Sequence, residues 1–172
     1  MPASHRLAPF LVAYLGSCTI TWLMHYHNES GLQHLPVTVP EPPVTAADSV
    51  TRLVLARAIS ALPRTKGQPI VVSGRSDDLT GRALPESPEV PIILPSPVKV
   101  QELADEYGDF GYLEISPVEI SADPAKLGIS HTVVVNRSRG AVFIPATVWY
   151  WVATRVQERW FVERPKQCLV VN

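Results

Sequence analysis

The chain is poor in cysteine, in fixed charge and in glycine, and each shortage removes a class of protein. Two Cys among 172 residues cannot staple a small disulfide scaffold. Lys+Arg 15 against Asp+Glu 16 leaves a formal net charge of −1, without the basic excess that an electrostatic nucleic-acid binder needs. Nine Gly against 17 Pro points to stiff connectors rather than flexible ones. What is present is apolar: 46% hydrophobic residues against 18% charged, enough to bury the core of one domain.

The longest gap in charge lies near the start. No Asp, Glu, Lys or Arg occurs between Arg6 and Glu29, and Leu7–Met24 is an almost unbroken apolar block. Eighteen helical residues rise ~27 Å, close to the ~30 Å of bilayer hydrocarbon. Trp22 and Tyr26 stand near its end, where aromatic rings favour headgroups. Arg6 precedes the block, and the next Lys or Arg is Arg52, so the N-terminus is expected in the cytoplasm and the rest outside. Residues 1–30 are therefore expected to be a single-pass anchor. Three alternatives stand beside it. A cleaved secretory signal would need a small-x-small site, which does not close the block. A lipoprotein would use Cys18 in Leu15-Gly-Ser-Cys18. A buried helix of a soluble fold is the fourth reading.

Residues 31–46 follow, with Pro36, Pro40, Pro42 and Pro43. Proline fixes φ and holds its predecessor extended, so the segment is expected to be a semi-rigid spacer. An irregular strand lying on the domain surface is the alternative. The domain proper is expected over 47–172. Thr45-Ala-Ala-Asp48 is a capping-box pattern, and Thr51, Val54, Leu55, Ala58, Ile59 and Leu62 form one helical face, with Arg52, Arg57 and Ser60 opposite. Pro69–Ser73 reads as a buried strand and 91–94 as a short edge strand. Ser96-Pro97 starts a second helix with Val98, Val100, Leu103 and Ala104 inward, and Gly108 stops it. From Gly111 the pattern alternates with period two. On Thr147–Val156 it puts Trp149 and Trp151 on the face opposite Tyr150. The fold expected is α+β: an N-terminal transmembrane or signal helix, then two helices, then an antiparallel β-meander.

Ile115-Ser-Pro117, a Val-rich strand, a glycine turn and a closing hairpin carrying Trp160-Phe-Val162 make up the end of the chain. This pattern is similar to the sheet end of small secreted or membrane-tethered bacterial domains of unknown function. The resemblance covers roughly residues 110–171. It implies a tethered or secreted domain and supplies no catalytic residue. A Gly/Cys-rich turn seen in many such domains is lacking here.

Several clusters have the residue types of a site. Ser76, Asp77 and His131 are those of a hydrolytic triad, and Asp78 adjoins them. Yet Gly74-Arg-Ser-Asp-Asp78 lacks the second small residue of a nucleophile elbow, and Asp in such a loop commonly binds its own backbone. His25, His27 and His34 are candidate metal ligands without the spacing of a zinc site, so no metal or other cofactor is expected. Glu102, Asp105, Glu106 and Asp109 crowd the second helix, and Glu114, Glu119 and Asp123 follow with no basic residue among them. They would face solvent or a basic partner, and no EF-hand spacing suggests calcium. Trp149, Trp151 and Phe161, with Tyr150 and Trp160, either pack the core or present a binding face. In the expected arrangement Trp160 and Val162 face the helices. Phe161 points the other way, with Trp149 or Trp151 nearby. The function expected is a non-enzymatic, membrane-anchored extracytoplasmic domain, held by residues 7–24, that binds a protein partner or ligand. A small hydrolase using Ser76, Asp77 and His131, and an inhibitor or immunity-type protein presenting the acidic helix, are the alternatives.

Overall fold

A computed structural model of the chain describes residues 31–62, 68–86, 90–120, 124–139, 145–163 and 165–171. The apolar block 7–24, with Cys18, and His25, His27 and Asp123 lie outside them. Among the described residues no helix is long and apolar enough to cross a membrane.

Both helices start and stop where their end chemistry dictates. In α1 (Ala46–Ala61), the Thr45 hydroxyl accepts from the Asp48 amide at 3.0 Å, and the Asp48 carboxylate accepts from the Thr45 amide at 2.8 Å. Two of the orphan donors at the helix start are thereby satisfied. In α2 (Pro97–Tyr107), Pro97 occupies the first turn and Gly108 ends the helix. Val100, Leu103 and Ala104 are buried as expected, whereas Val98 is exposed.

The strands are β1 (Ile70–Gly74), β2 (Ile92–Ile93), β3 (Phe110–Ile115), β4 (Ala125–Val134), β5 (Pro145–Val156), β6 (Arg159–Val162) and β7 (Lys166–Val171). They form one sheet in the order β2-β1-β3-β4-β5-β6, with β7 also beside β5. The α+β class holds, but the expected purely antiparallel sheet does not. From β3 onward the strands are an antiparallel meander, whereas β1 pairs in parallel with both β2 and β3. Parallel neighbours require a crossover. The chain supplies two: residues 75–91 from β1 to β2, and α2 from β2 past β1 to β3. The second helix is thus inserted within the sheet sequence and does not precede it.

This topology places a layer on each face. Alternation sends Ile70, Val72, Ile92, Leu113 and Ile115 toward α1, where they meet Val50, Val54, Leu55, Ala58 and Ile59. It sends Val71, Ile93 and Phe110 the other way, against Val100, Leu103 and Ala104 of α2. Every residue of β1 is buried in consequence. One residue expected on the outer face of α1 turns inward. Arg52 is buried, and its guanidinium donates to the carbonyls of Glu41 and Arg82 and pairs with Glu86 at 3.1 Å. A buried guanidinium is tolerable because its donors are used.

β6 and β7 pair antiparallel with successive stretches of β5. Three steps along β5, from Ala153 to Tyr150, match four steps on the return, from Val162 to Lys166. Pro165, just before β7, has no N–H to give a ladder. The Gln157-Glu158 turn that starts the return has φ of 47° and 63°. Both values are positive, as a two-residue hairpin turn with the twist of its strands requires.

The proline-rich segment 31–46 lies on the domain. Leu32 is 2% exposed and packs with the α2 layer. The Thr38 amide donates to the Ile92 carbonyl at 2.8 Å, and the Leu94 amide donates to Thr38 Oγ1 at 3.1 Å. The Glu41 amide donates to the Gly81 carbonyl at 3.0 Å. A side chain at Gly81 would meet the Val39 carbonyl at 2.8 Å, so glycine permits this close approach. Extended, as its prolines dictate, the segment covers the free edge of β2. These contacts hold Leu32, Thr38 and Glu41 against the domain. We expect Leu32→Ala to lower stability by about 2 kcal/mol, the low end for emptying a buried leucine site. A melt of the full chain checks this, and an unchanged melting temperature would mean that residues 31–35 do not contribute to the fold.

Candidate functional site

Two surfaces offer chemistry, and the sheet topology creates both. The first is at the carboxyl ends of the parallel strands. From β1 one connection leads to β2 on one side, and the next leads across to β3 on the other. In open α/β sheets such a reversal leaves a crevice beyond the strand ends. A cavity of about 220 Å³ lies there, between Gly74, Ser76 and Asp78 after β1, the Ser116–Val118 turn after β3, and Thr45, Asp48 and Thr51 at the start of α1. A second cavity of about 400 Å³ lies across the same loop, bounded by Leu94–Pro97 at the start of α2.

The loop between them is tightly held. A side chain on Gly74 would meet the Ser76 carbonyl at 2.7 Å, so the chain folds back over a residue without Cβ. The Arg75 amide donates to the Ile115 carbonyl at 2.9 Å, and Arg75 Nε pairs with Glu114 at 2.7 Å. Tyr112 donates to the same carboxylate at 3.3 Å. Burial, then the Glu114 charge and this hydrogen bond, push the Tyr112 phenol up to about 12, so it stays a donor. The Ser76 hydroxyl donates to Asp78. Ser73, at the end of β1, donates to the Pro95 carbonyl at 3.0 Å.

The residues of the expected triad are not assembled. Val72 pairs with Leu113, and Leu113 with His131, so His131 lies two strands from β1. Ser76 lies four residues beyond Val72, past the carboxyl end of β1. Two strand spacings across and four residues along separate them by roughly 15 Å. Hydroxyl and imidazole would need ~2.6–3.2 Å. His131 is instead buried on the core face, its ring stacked on Trp149 at 6.3 Å, and Ser76 bonds to Asp78 and not to Asp77.

Acidic residues in and just after α2 have structural partners that the sequence did not reveal. The Asn136 amide donates to buried Asp109 at 2.8 Å. Asp105 accepts from the Arg137 amide at 3.0 Å and from Gln101 at 3.1 Å, and pairs with the Arg137 side chain at 3.6 Å. Glu102 pairs with Lys99 at 2.8 Å, and Glu106 is exposed. Two of the four thus anchor the turn after β4. His34 is exposed, and among the described residues no group of His, Cys, Asp and Glu side chains could hold a metal ion.

The second surface is the open part of the sheet. α2 covers one face over β1, β2, β3 and the end of β4, but the same face continues over β5 and β6. Register puts Tyr150, Val152, Thr154, Val156, Arg159 and Phe161 there. Tyr150 is 54% exposed, Val156 50% and Phe161 55%. The Tyr150 ring lies over Gly128, its cross-strand partner. Trp149 and Trp151 lie on the opposite, inward face. Trp151 is 5% exposed, and Trp149 and Trp160 pack half-buried against the same core. Trp160 and Val162 face inward, as expected, and Arg155 lies 5.9 Å from the Trp160 ring. Phe161 pairs with Thr154, so neither Trp149 nor Trp151 is beside it. Of the three aromatics considered for binding, Phe161 is the exposed one, and Tyr150 joins it.

No protein-family model, no curated protein and no solved structure matches this chain.

The cleft also contributes to acid sensitivity. Burial works against ionising Asp48, but the Thr45 and Val44 amides, the Thr45 hydroxyl and the Arg82 charge outweigh it and hold its carboxyl below the ordinary value. A lowered folded pKa contributes stability above the unfolded value of ~3.9 that is lost as pH falls through the folded one. The Arg137 amide does the same for Asp105, whose small burial opposes it. We therefore expect Asp48→Asn to be less stable than the parent at neutral pH and to lose less further stability between about pH 4 and pH 2. Denaturant titrations across that range check it, and parallel pH curves would contradict it.

Proposed function

We propose that this protein is a membrane-tethered, extracytoplasmic, non-enzymatic domain that binds a protein partner through the open face of its sheet. The observation that carries the reading is the outward strip Tyr150, Val156 and Phe161, half or more exposed while Trp151 on the other face is buried. Clustered exposed apolar side chains on a folded domain mark interaction surfaces. Lys126 and Arg159 lie on the same face and give it a polar rim. The 18-residue apolar block and the position of Arg6 support the tether and its orientation. Since residues 31–46 are docked, the connection from Met24 to Gly31 spans at most roughly 25 Å, which would keep the domain beside the bilayer.

The separation of Ser76 from His131 weighs against the hydrolase reading. The internal partners of Asp105 and Asp109 weigh against an inhibitor that presents Glu102, Asp105, Glu106 and Asp109 together.

Two measurements test the proposal together. The full-length protein should sediment with membranes and stay there in high salt, because a buried helix is not screened as an ionic contact is. A photo-crosslinking residue at Phe161 should form a protein adduct in intact cells, whereas one at exposed Val98 should not. Release by salt alone would remove the tether. Equal adducts from both positions, or none from Phe161, would remove the binding face.

A further inference from the structure

The proline-rich segment beside β2 has a period of three. Proline fixes its own φ and holds its predecessor extended, so Pro36, Pro40, Pro42 and Pro43 favour the polyproline II helix, which has three residues per turn. The contacts follow that period. The hydrogen bonds that tie the segment down fall at Thr38, Glu41 and Val44, every third residue. The Thr38 amide donates to the Ile92 carbonyl, the Glu41 amide to the Gly81 carbonyl, and the Val44 amide to Asp48 at 3.0 Å. Arg52 holds Glu41 by its carbonyl, and Arg82 pairs with its carboxylate at 3.5 Å. One edge of the helix is therefore turned to the domain.

The other two edges point away. One carries Pro36, Val39 and Pro42, and the other Val37, Pro40 and Pro43. Pro36, Pro42 and Pro43 are exposed, Val37 is 51% exposed and Val39 76%, while Pro40 is half-buried. Strand alternation would have turned one of each neighbouring pair inward. Instead Pro36 and Val37 are both out, as are Pro42 and Pro43. Every residue on these two edges is apolar, which makes a ridge roughly 22 Å long. No Lys, Arg, Trp or Tyr lies within residues 36–44.

We propose that Pro36–Pro43 is a preformed ligand for a partner protein whose binding groove is lined by Trp and Tyr. Aromatic-lined grooves take polyproline II segments because the helix is rigid before it binds and presents apolar side chains three residues apart. A groove can embrace only two edges of a three-edged helix. Here the third edge is the one tied to the domain, so docking and recognition do not compete. The domain already holds the segment extended, and little conformational entropy is left to lose on binding. A bilayer suits the ridge less well, because a strip that lies on lipid carries cationic or aromatic anchors and this one has neither. The inference concerns a different surface from the open sheet face and does not rest on it or on the tether.

An aliphatic photo-crosslinking residue at Val39 of the full-length protein tests it, with the same residue at exposed Val98 as the control. In unfractionated cell lysate, position 39 is expected to give a protein adduct and position 98 none. A proline decamer, itself a polyproline II helix, should lower that adduct about tenfold when added at about 1 mM. A glycine-serine decamer should leave it unchanged. The partner peptide joined at position 39 should contain Trp or Tyr. Val37→Asp and Pro42→Ala, one on each free edge, are each expected to lower the adduct about tenfold, with melting temperatures close to the parent's. An adduct that the proline decamer does not displace would overturn the proposal, as would a partner peptide without Trp or Tyr. So would an adduct with lipid or with a second copy of this chain, equal adducts from both positions, or none from position 39. Full adduct yield in both folded variants would overturn it too.

Discussion

β1 is buried from both sides, and the rest of the molecule is arranged around that constraint. A five-residue strand with no exposed position must have an apolar layer on each face and a paired neighbour on each edge. α1 supplies one layer and α2 the other. β2 and β3 supply the edges, and because both are parallel to β1, the chain must cross over twice. Those crossovers are the 75–91 connection, whose Leu84 and Val90 join the α1 side, and α2 itself.

Two surfaces follow from the same arrangement. Reversing direction about β1 leaves the strand ends without a covering segment, and the cleft of Asp48, Thr51 and Asp78 occupies that gap. α2 is 11 residues long and packs on β1, β2, β3 and the last residue of β4. The meander runs on past its shelter, and the face carrying Tyr150 and Phe161 remains uncovered. On the other face α1 is longer, at 16 residues, and Arg57 reaches the Val162 carbonyl, so the core extends to β6. The free edge of β2 is covered by the segment that enters the domain, clamped by Arg52 through the Glu41 carbonyl. A buried arginine left with one set of its acceptors removed would be strongly destabilising, so segment, helix and the 82–86 loop depend on one another.

Features set by neighbours in sequence were readable. Thr45 with Asp48, Pro97 and Gly108 marked the helix ends because capping acts over three or four residues. The alternation along β5 correctly separated Trp151 from Tyr150 because strand periodicity is strict. The apolar run Pro69–Ser73 announced a buried strand. It did not say which strands would lie beside it, since parallel pairing joins Val72 to Leu113 across 41 positions. Arg52 looked like an outer-face residue because its acceptors are carbonyls, which composition does not display. The carboxylates of Asp105 and Asp109 looked free for a partner because theirs are amides near residue 136. The cleft was half visible. The Gly74–Asp78 loop stood out, but the contribution of Thr51 from α1 depends on how the helix crosses the sheet.

Hydrogen exchange of the backbone amides tests the central claim most directly. If β1 is covered on both faces and paired on both edges, the amides of Val71–Ser73 should exchange only through global unfolding, together with the centre of β4. The amides of β6, with one face open to solvent, should exchange through smaller openings. β1 amides exchanging as fast as those of β6 would mean that β1 lacks one of its layers or one of its partners, and the account built on it would fail.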